Sequence, residues 1–125
     1  MDLKFLVVDD SVTMRRIVTN SLKTLGYSAF VEAVDGQDAL NKIQADSSIN
    51  FVITDWNMPN MTGLELTQAI RGNPATEELP ILMVTTRGVK DDILQALQAK
   101  VNNYVVKPFT PQVLKEKLDQ IISKL

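Results

Sequence analysis

The chain contains neither cysteine nor histidine. Without cysteine there is no disulfide framework and no thiolate metal site, a pattern that fits the reducing cytosol. Without histidine the commonest transition-metal ligand and the usual general base are both missing. Any metal held here must therefore be a hard cation bound through oxygen. No apolar run approaches the ~20 residues needed to cross a bilayer, and the start, Met1-Asp2-Leu3-Lys4, lacks the basic stretch and apolar core of a signal peptide. A soluble, cytoplasmic protein is expected. Thirteen basic against fifteen acidic residues leave a net charge of −2 with no long block of one sign, which is not the electrostatic footprint of a nucleic-acid binder. No glycine-rich loop follows the first apolar run, and this argues against nucleotide binding. Repeats, low-complexity segments and interdomain linkers are likewise missing.

What remains is an ordinary globular composition, 45% hydrophobic and 22% charged over 125 residues. That suits one domain, spanning 1–125 with no output domain, able to bury roughly two thirds of its unfolded surface. Apolar runs suited to buried strands recur at 5–8, 29–33, 51–53, 81–84 and 104–106, separated by helix-period segments. The first helix is expected over 11–25, with Gly26 as its C-terminal cap, and the second from Asp35-Gly36 to Ala45. A third fits 63–71 and a fourth 90–99, while the last opens at Thr110-Pro111, an N-cap followed by proline. Strand and helix alternate five times. This predicts an α/β fold, a doubly wound (βα)5 parallel sheet with helices on both faces. Ligands of such sheets bind beyond the carboxyl ends of the strands, which is where Asp9, Asp10, Asp55, Thr85, Thr86 and Lys107 fall.

Each of these residues has an ordinary explanation when taken alone. Asp9 or Asp10 can cap a helix, Asp55 can sit in a turn, Thr85 can be a satisfied strand hydroxyl, and Lys107 can be solvated. Their conjunction at one edge of one sheet is the informative observation. The run Leu6-Val7-Val8-Asp9-Asp10 delivers two mutually repelling carboxylates to the end of a buried strand, and something positive must answer them. Acids from two adjacent strands make an oxygen cage suited to Mg²⁺, which takes a few carboxylates and keeps water or phosphate oxygens elsewhere. Asp55 can both touch that metal and attack as a carboxylate nucleophile. Phosphoryl transfer to it needs mainly positioning and neutralisation of the equatorial oxygens. Mg²⁺, the Lys107 ammonium and the Thr85 hydroxyl with nearby backbone N–H groups are the available partners.

Through "VVDDSVTMRRIV", "DWNMPNMTGLEL", "ILMVTT" and "NNYVVKPF", essentially the whole chain resembles the response-regulator receiver family, in particular its single-domain chemotaxis members. The resemblance implies a flavodoxin-like five-stranded sheet in the order 2-1-3-4-5, which the residues themselves do not supply. It implies two-component signalling in which Asp55 is phosphorylated from a phosphohistidine on a kinase of the CheA type. Asp10 and Asp55 would bind Mg²⁺ directly, joined by the backbone carbonyl of Asn57, with Asp9 acting largely through water. Lys107 would bridge the phosphoryl group and precede a cis bond to Pro108. Thr85 would move toward the phosphoryl group and Tyr104 into the space vacated, changing the face built by the fourth helix, fifth strand and fifth helix. There Val106, Phe109 and Lys117 match positions that meet the flagellar switch protein FliM, an exposed apolar pair beside a lysine suited to a partner helix. Without the family, Tyr104 reads as an edge-strand aromatic with a wet hydroxyl. The resemblance further implies a monomeric phosphoprotein that is not an enzyme, catalysing only its own aspartyl phosphorylation and dephosphorylation.

Three positions depart from the family pattern. Thr62 stands where many receivers carry Asp, in a loop away from the chemistry. Arg87 stands where similar regulators often carry Glu; with Asn57 it should border the path of the hydrolytic water, bearing on phosphoryl lifetime and on recognition by a CheZ-like phosphatase. Lys100 stands where Gly commonly ends the fourth helix. A left-handed non-Gly residue costs about 1 kcal/mol, so the helix is expected to end at Asn102 or Asn103 instead. Other readings stay open at this point: a haloacid-dehalogenase-type phosphatase, a receiver regulated without phosphorylation, a phosphorelay intermediate, or a fragment of a longer protein. The first spaces its leading acids Asp-x-Asp, whereas Asp9 and Asp10 are adjacent.

Overall fold

The computed structural model describes residues 2–86 and 90–125, the side chain of Asp91 excepted. Strands β1 (Phe5–Val8), β2 (Phe30–Ala33), β3 (Phe51–Asp55), β4 (Ile81–Thr85) and β5 (Asn103–Val106) alternate with helices α1 (Val12–Thr24), α2 (Gly36–Ala45), α3 (Gly63–Arg71), α4 (Lys90–Gln98) and α5 (Pro111–Ile122). The sheet runs β2-β1-β3-β4-β5 with every neighbouring pair parallel, the flavodoxin-like order expected. β3 and β4 each reach further toward the carboxyl edge than the apolar runs suggest, ending on Asp55 and Thr85 themselves.

Alternate residues of each strand enter different cores, which is why the strands read as continuous apolar runs. Leu6, Val8, Val52, Ile81 and Met83 pack with Ala39, Leu66, Ile70 and Ala96 on the side of α2, α3 and α4. Phe5, Val7, Phe51, Ile53, Leu82 and Val84 pack on the other side with Val18 and Leu22 of α1 and Leu114 and Leu118 of α5. Each of these large side chains is essentially sealed from water, a burial contributing about 1.5–3 kcal/mol per residue. Among the described residues no helix is long and apolar enough to cross a membrane.

The helix ends follow local rules. Ser11, Asp35, Thr62 and Thr110 each accept a backbone N–H from the first turn of their helix. Thr62, beyond being a loop substitution, completes a capping box with Glu65. α1 closes with Gly26 N–H on the Lys23 carbonyl and Tyr27 N–H on the Leu22 carbonyl, Gly26 taking φ 95°.

The end of α4 corrects the sequence expectation. Lys100 itself adopts the left-handed conformation at φ 74°, and neither Asn102 nor Asn103 does. Lys100 N–H donates to Leu97 and Val101 N–H to Ala96, so the helix closes by the same motif that Gly26 serves in α1. Asn102 is unavailable because it is committed to the sheet margin: its backbone N–H donates to the Ile81 carbonyl and its Oδ1 accepts from Ile81 N–H and Arg71. Arg71 also donates to the Lys100 carbonyl at 3.0 Å, anchoring the turn that a lysine would otherwise avoid.

Candidate functional site

The β1–β3 register places Val8 beside Thr54, and one further residue brings Asp9 level with Asp55. One carboxylate oxygen from each of Asp9, Asp10 and Asp55 lies within 4.8 Å of the others. Asp9 is buried, Asp55 nearly so and Asp10 exposed, giving a cluster with a closed floor and an open mouth. Asp9 also takes part in the turn, its Oδ1 accepting from Ser11 N–H at 2.9 Å. The helix cap is Ser11, so neither acid is spent on that task.

Lys107 supplies the positive charge that the paired acids require. Its backbone N–H donates to the Thr85 carbonyl at 2.7 Å, which carries the chain from β5 back over the sheet edge. Its ammonium then donates to Asp9 Oδ2 and Asp55 Oδ1, each at 3.2 Å, while only 13% of the side chain remains exposed. The next peptide bond, to Pro108, is cis. Burial raises the Asp55 pKa above its ordinary value of 3.8; Lys107 lowers it, Asp9 raises it, and a hydrogen bond from the Trp56 backbone lowers it again. Desolvation therefore dominates over the ion pair. With all three acids ionised, one ammonium leaves two negative charges unanswered, the charge of one divalent cation. Three hard oxygens at this spacing fit a cation of the Mg²⁺ class.

Several supports of this cluster escaped sequence reasoning. Arg15 donates to the Asp9 carbonyl at 2.7 Å and pairs with Glu32 at 3.1 Å, pinning the turn after β1 to β2. Gly63 packs so tightly that a Cβ there would stand 2.0 Å from the Asp55 carbonyl oxygen, and its N–H donates to the Trp56 carbonyl. Asn60, at φ 68°, reaches Asp35 at 2.9 Å and ties the loop after Asp55 to the start of α2. The only signals in the sequence were a basic residue in the first turn of α1 and a glycine at the head of α3. Neither says what it touches.

The remaining expected residues are placed as follows. Thr85 is buried at the end of β4, one row beyond the Asp55–Val84 pair. Asn57 is exposed in the loop that follows β3. Tyr104 lies on the edge strand β5, its side chain half-buried against the core on the α4 side, with the Lys117 ammonium 5.2 Å from its ring centroid. Val106 is 38% exposed and Phe109 is partly buried against the α5 core, so the expected apolar pair is more exposed at Val106 than at Phe109. Arg87 lies outside the described residues.

Comparison with known proteins agrees with this geometry. Residues 5–119 match the response regulator receiver domain. The chain is 52% identical over 120 residues to the chemotaxis protein CheY1 of Helicobacter pylori, covering 96% of this chain and 97% of that one. Among solved structures it is similar to the chemotaxis response regulator CheY4 of Vibrio cholerae, with a TM-score of 0.87 and 35% identity over 97% of this chain and 99% of that one. It is also similar to the receiver domain of a sensor histidine kinase from Pseudomonas aeruginosa, with a TM-score of 0.86 and 25% identity over 98% and 99% of the two chains. The acids gathered at the sheet crest, the lysine that bridges them and the sequence kinship together make this chain a member of the response-regulator receiver family, in its CheY-like chemotaxis branch.

Proposed function

We propose that Asp55 accepts a phosphoryl group from the phosphohistidine of a CheA-type kinase in a Mg²⁺-dependent reaction, and that the modified chain binds the flagellar switch protein FliM through its α4-β5-α5 face. The observation that carries this reading is the Lys107 ammonium shared between Asp9 and Asp55 within a cluster of three acids. A carboxylate oxygen of Asp55 bonds to phosphorus as the N–P bond of the donor breaks, and the departing imidazole takes its proton from solvent. Burial that raises the Asp55 pKa also strips water from the attacking oxygen. Lys107 would transfer a hydrogen bond from the carboxylate to an incoming phosphoryl oxygen. Asp9, Asp10, Asp55 and the Asn57 carbonyl would hold Mg²⁺, which when bound supplies further positive charge to the phosphoryl oxygens. The Pseudomonas domain is described with a magnesium ion coordinated in its active site cleft, and that likeness supports the assignment.

Thr85, at the end of β4, and Tyr104, on β5 beneath Lys117, are the proposed relay from the phosphoryl group to the outer face. Val106, Phe109 and Lys117 would meet FliM, and Asn57 and Arg87 would set phosphoryl lifetime and recognition by a CheZ-like phosphatase. Treatment with acetyl phosphate should place one phosphate per chain on Asp55 only when Mg²⁺ is present. The sole tryptophan, Trp56, adjoins Asp55, and its fluorescence should report both Mg²⁺ and beryllofluoride. Mass-spectrometric phosphate on another residue would overturn the assignment, and sustained turnover of a phosphate ester would favour a phosphatase.

A further inference from the structure

We infer that the groove between α1 and α2, running over the edge strand β2, is a docking site for an acidic, amphipathic segment of a partner protein. The cleft encloses about 510 Å³ and is lined by Arg15, Arg16 and Lys23 of α1 and Lys42 of α2, with Glu32 as its one acid. Four cations against one anion stand out in a chain whose net charge is −2. Two of them are already committed. Arg15 pairs with Glu32 at 3.1 Å, and Lys42 donates to the Glu32 carbonyl and pairs with Asp38 at 3.3 Å.

The other two are available. Arg16 and Lys23 are exposed and form no ion pair with a described residue; the Lys23 ammonium stands 5.6 Å from the Phe30 ring centroid. Val12, Arg16, Asn20 and Lys23 follow one another at intervals of one helical turn along a single stripe of α1. At the end of the groove nearest the acidic cluster, Val12 is 56% exposed and Val34 49% exposed. The surface thus asks for an apolar side chain at one end and carboxylates along the rest.

The same residues argue against other occupants. Strand addition to β2 is blocked, because Lys42 takes the outward Glu32 carbonyl and Asp38 accepts the Val34 N–H at 3.0 Å. A nucleic-acid backbone or an anionic bilayer would meet Glu32 in the floor and Asp35 and Asp38 on the adjoining wall. A short peptide can place its carboxylates on Arg16 and Lys23 and avoid those acids.

The test is a titration of the isotopically labelled full chain with a synthetic peptide carrying one leucine followed by four glutamates, read by amide chemical shifts. Saturable, salt-sensitive shifts at Val12, Arg16, Asn20, Lys23 and Val34 are expected. Arg16→Glu combined with Lys23→Glu should weaken binding about tenfold. The neutral pair Arg16→Gln and Lys23→Gln should give a smaller loss, and it carries the test should charge reversal impair folding. Shifts that persist in both variants, that map elsewhere, or that fail to saturate at millimolar peptide would overturn the inference. Equally tight binding of an oligonucleotide or of phosphatidylglycerol vesicles at the same amides would also overturn it. None of these readouts depends on phosphorylation of Asp55, so this inference and the proposed function fail separately.

Discussion

Lys107 Nζ lies 3.2 Å from Asp55 Oδ1, across a separation of 52 residues in the chain. The contact is largely shielded from water on both sides, with 13% of the lysine side chain and 11% of the aspartate exposed. An ion pair so placed is costly to break from one side, because the abandoned charge stays buried. Its pull on Asp55 is nevertheless outweighed by the burial of the carboxylate, with Asp9 adding in the same direction, so the pKa stays raised.

Replacing Lys107 by Met keeps the aliphatic stem and removes the charge. Stability in the absence of divalent cations should fall by about 3–5 kcal/mol, and millimolar Mg²⁺ should restore part of it. Urea denaturation with and without Mg²⁺ measures both. Acetyl phosphate should still label Asp55 in this variant while the phosphorylation-dependent gain in affinity for a FliM peptide disappears.

Asp55→Asn should stabilise the metal-free chain at neutral pH. With its folded pKa raised above 3.8, Asp55 favours the fold fully below that value, and this contribution is lost as pH rises through the folded pKa. The variant should therefore melt higher than the parent at pH 7, and the difference should vanish at pH values below 3.8. Mg²⁺ should reverse the order, since binding to the folded state raises the melting temperature of the parent alone. Identical melting curves with and without Mg²⁺ would remove the metal assignment.

Gly63→Ala should be far more damaging than an ordinary loop substitution. Its Cβ would fall 2.0 Å from the Asp55 carbonyl oxygen, and backbone rather than a flexible side chain would have to yield. A loss of about 3 kcal/mol or more is expected, together with slower labelling of Asp55. Gly36→Ala, whose Cβ would first meet the Met61 side chain rather than backbone, should cost less in the same thermal melt.

Lys100→Gly should stabilise the chain by about 1 kcal/mol, because the left-handed backbone at this position penalises a Cβ. A shift of the urea midpoint at unchanged slope is the expected signature. A loss of stability would show that the lysine side chain compensates for its own backbone.

Much of the site was legible because its residues sit at the ends of strands whose apolar runs are local patterns. Asp9, Asp55, Thr85 and Lys107 could be assigned to one edge as soon as strand and helix were seen to alternate. Lys100 shows the opposite case. Its helix closes in the left-handed conformation because Arg71, 29 residues away in the chain, holds the Lys100 carbonyl and the neighbouring Asn102 side chain together. Phe109 shows it again: motif matching carries no information that its ring packs partly against the α5 core.

By itself the sequence determined which segments are strands and helices, where most helices are capped, and that hard acids rather than imidazoles or thiolates crown the sheet. Those properties follow from side-chain period and residue chemistry within a few positions. The tertiary structure decided that Lys107 is shared by Asp9 and Asp55, that Gly63 must leave room for a carbonyl, and that four cations line the β2 edge. Such facts depend on strand register and helix packing between segments far apart in the chain, and no local pattern carries that information.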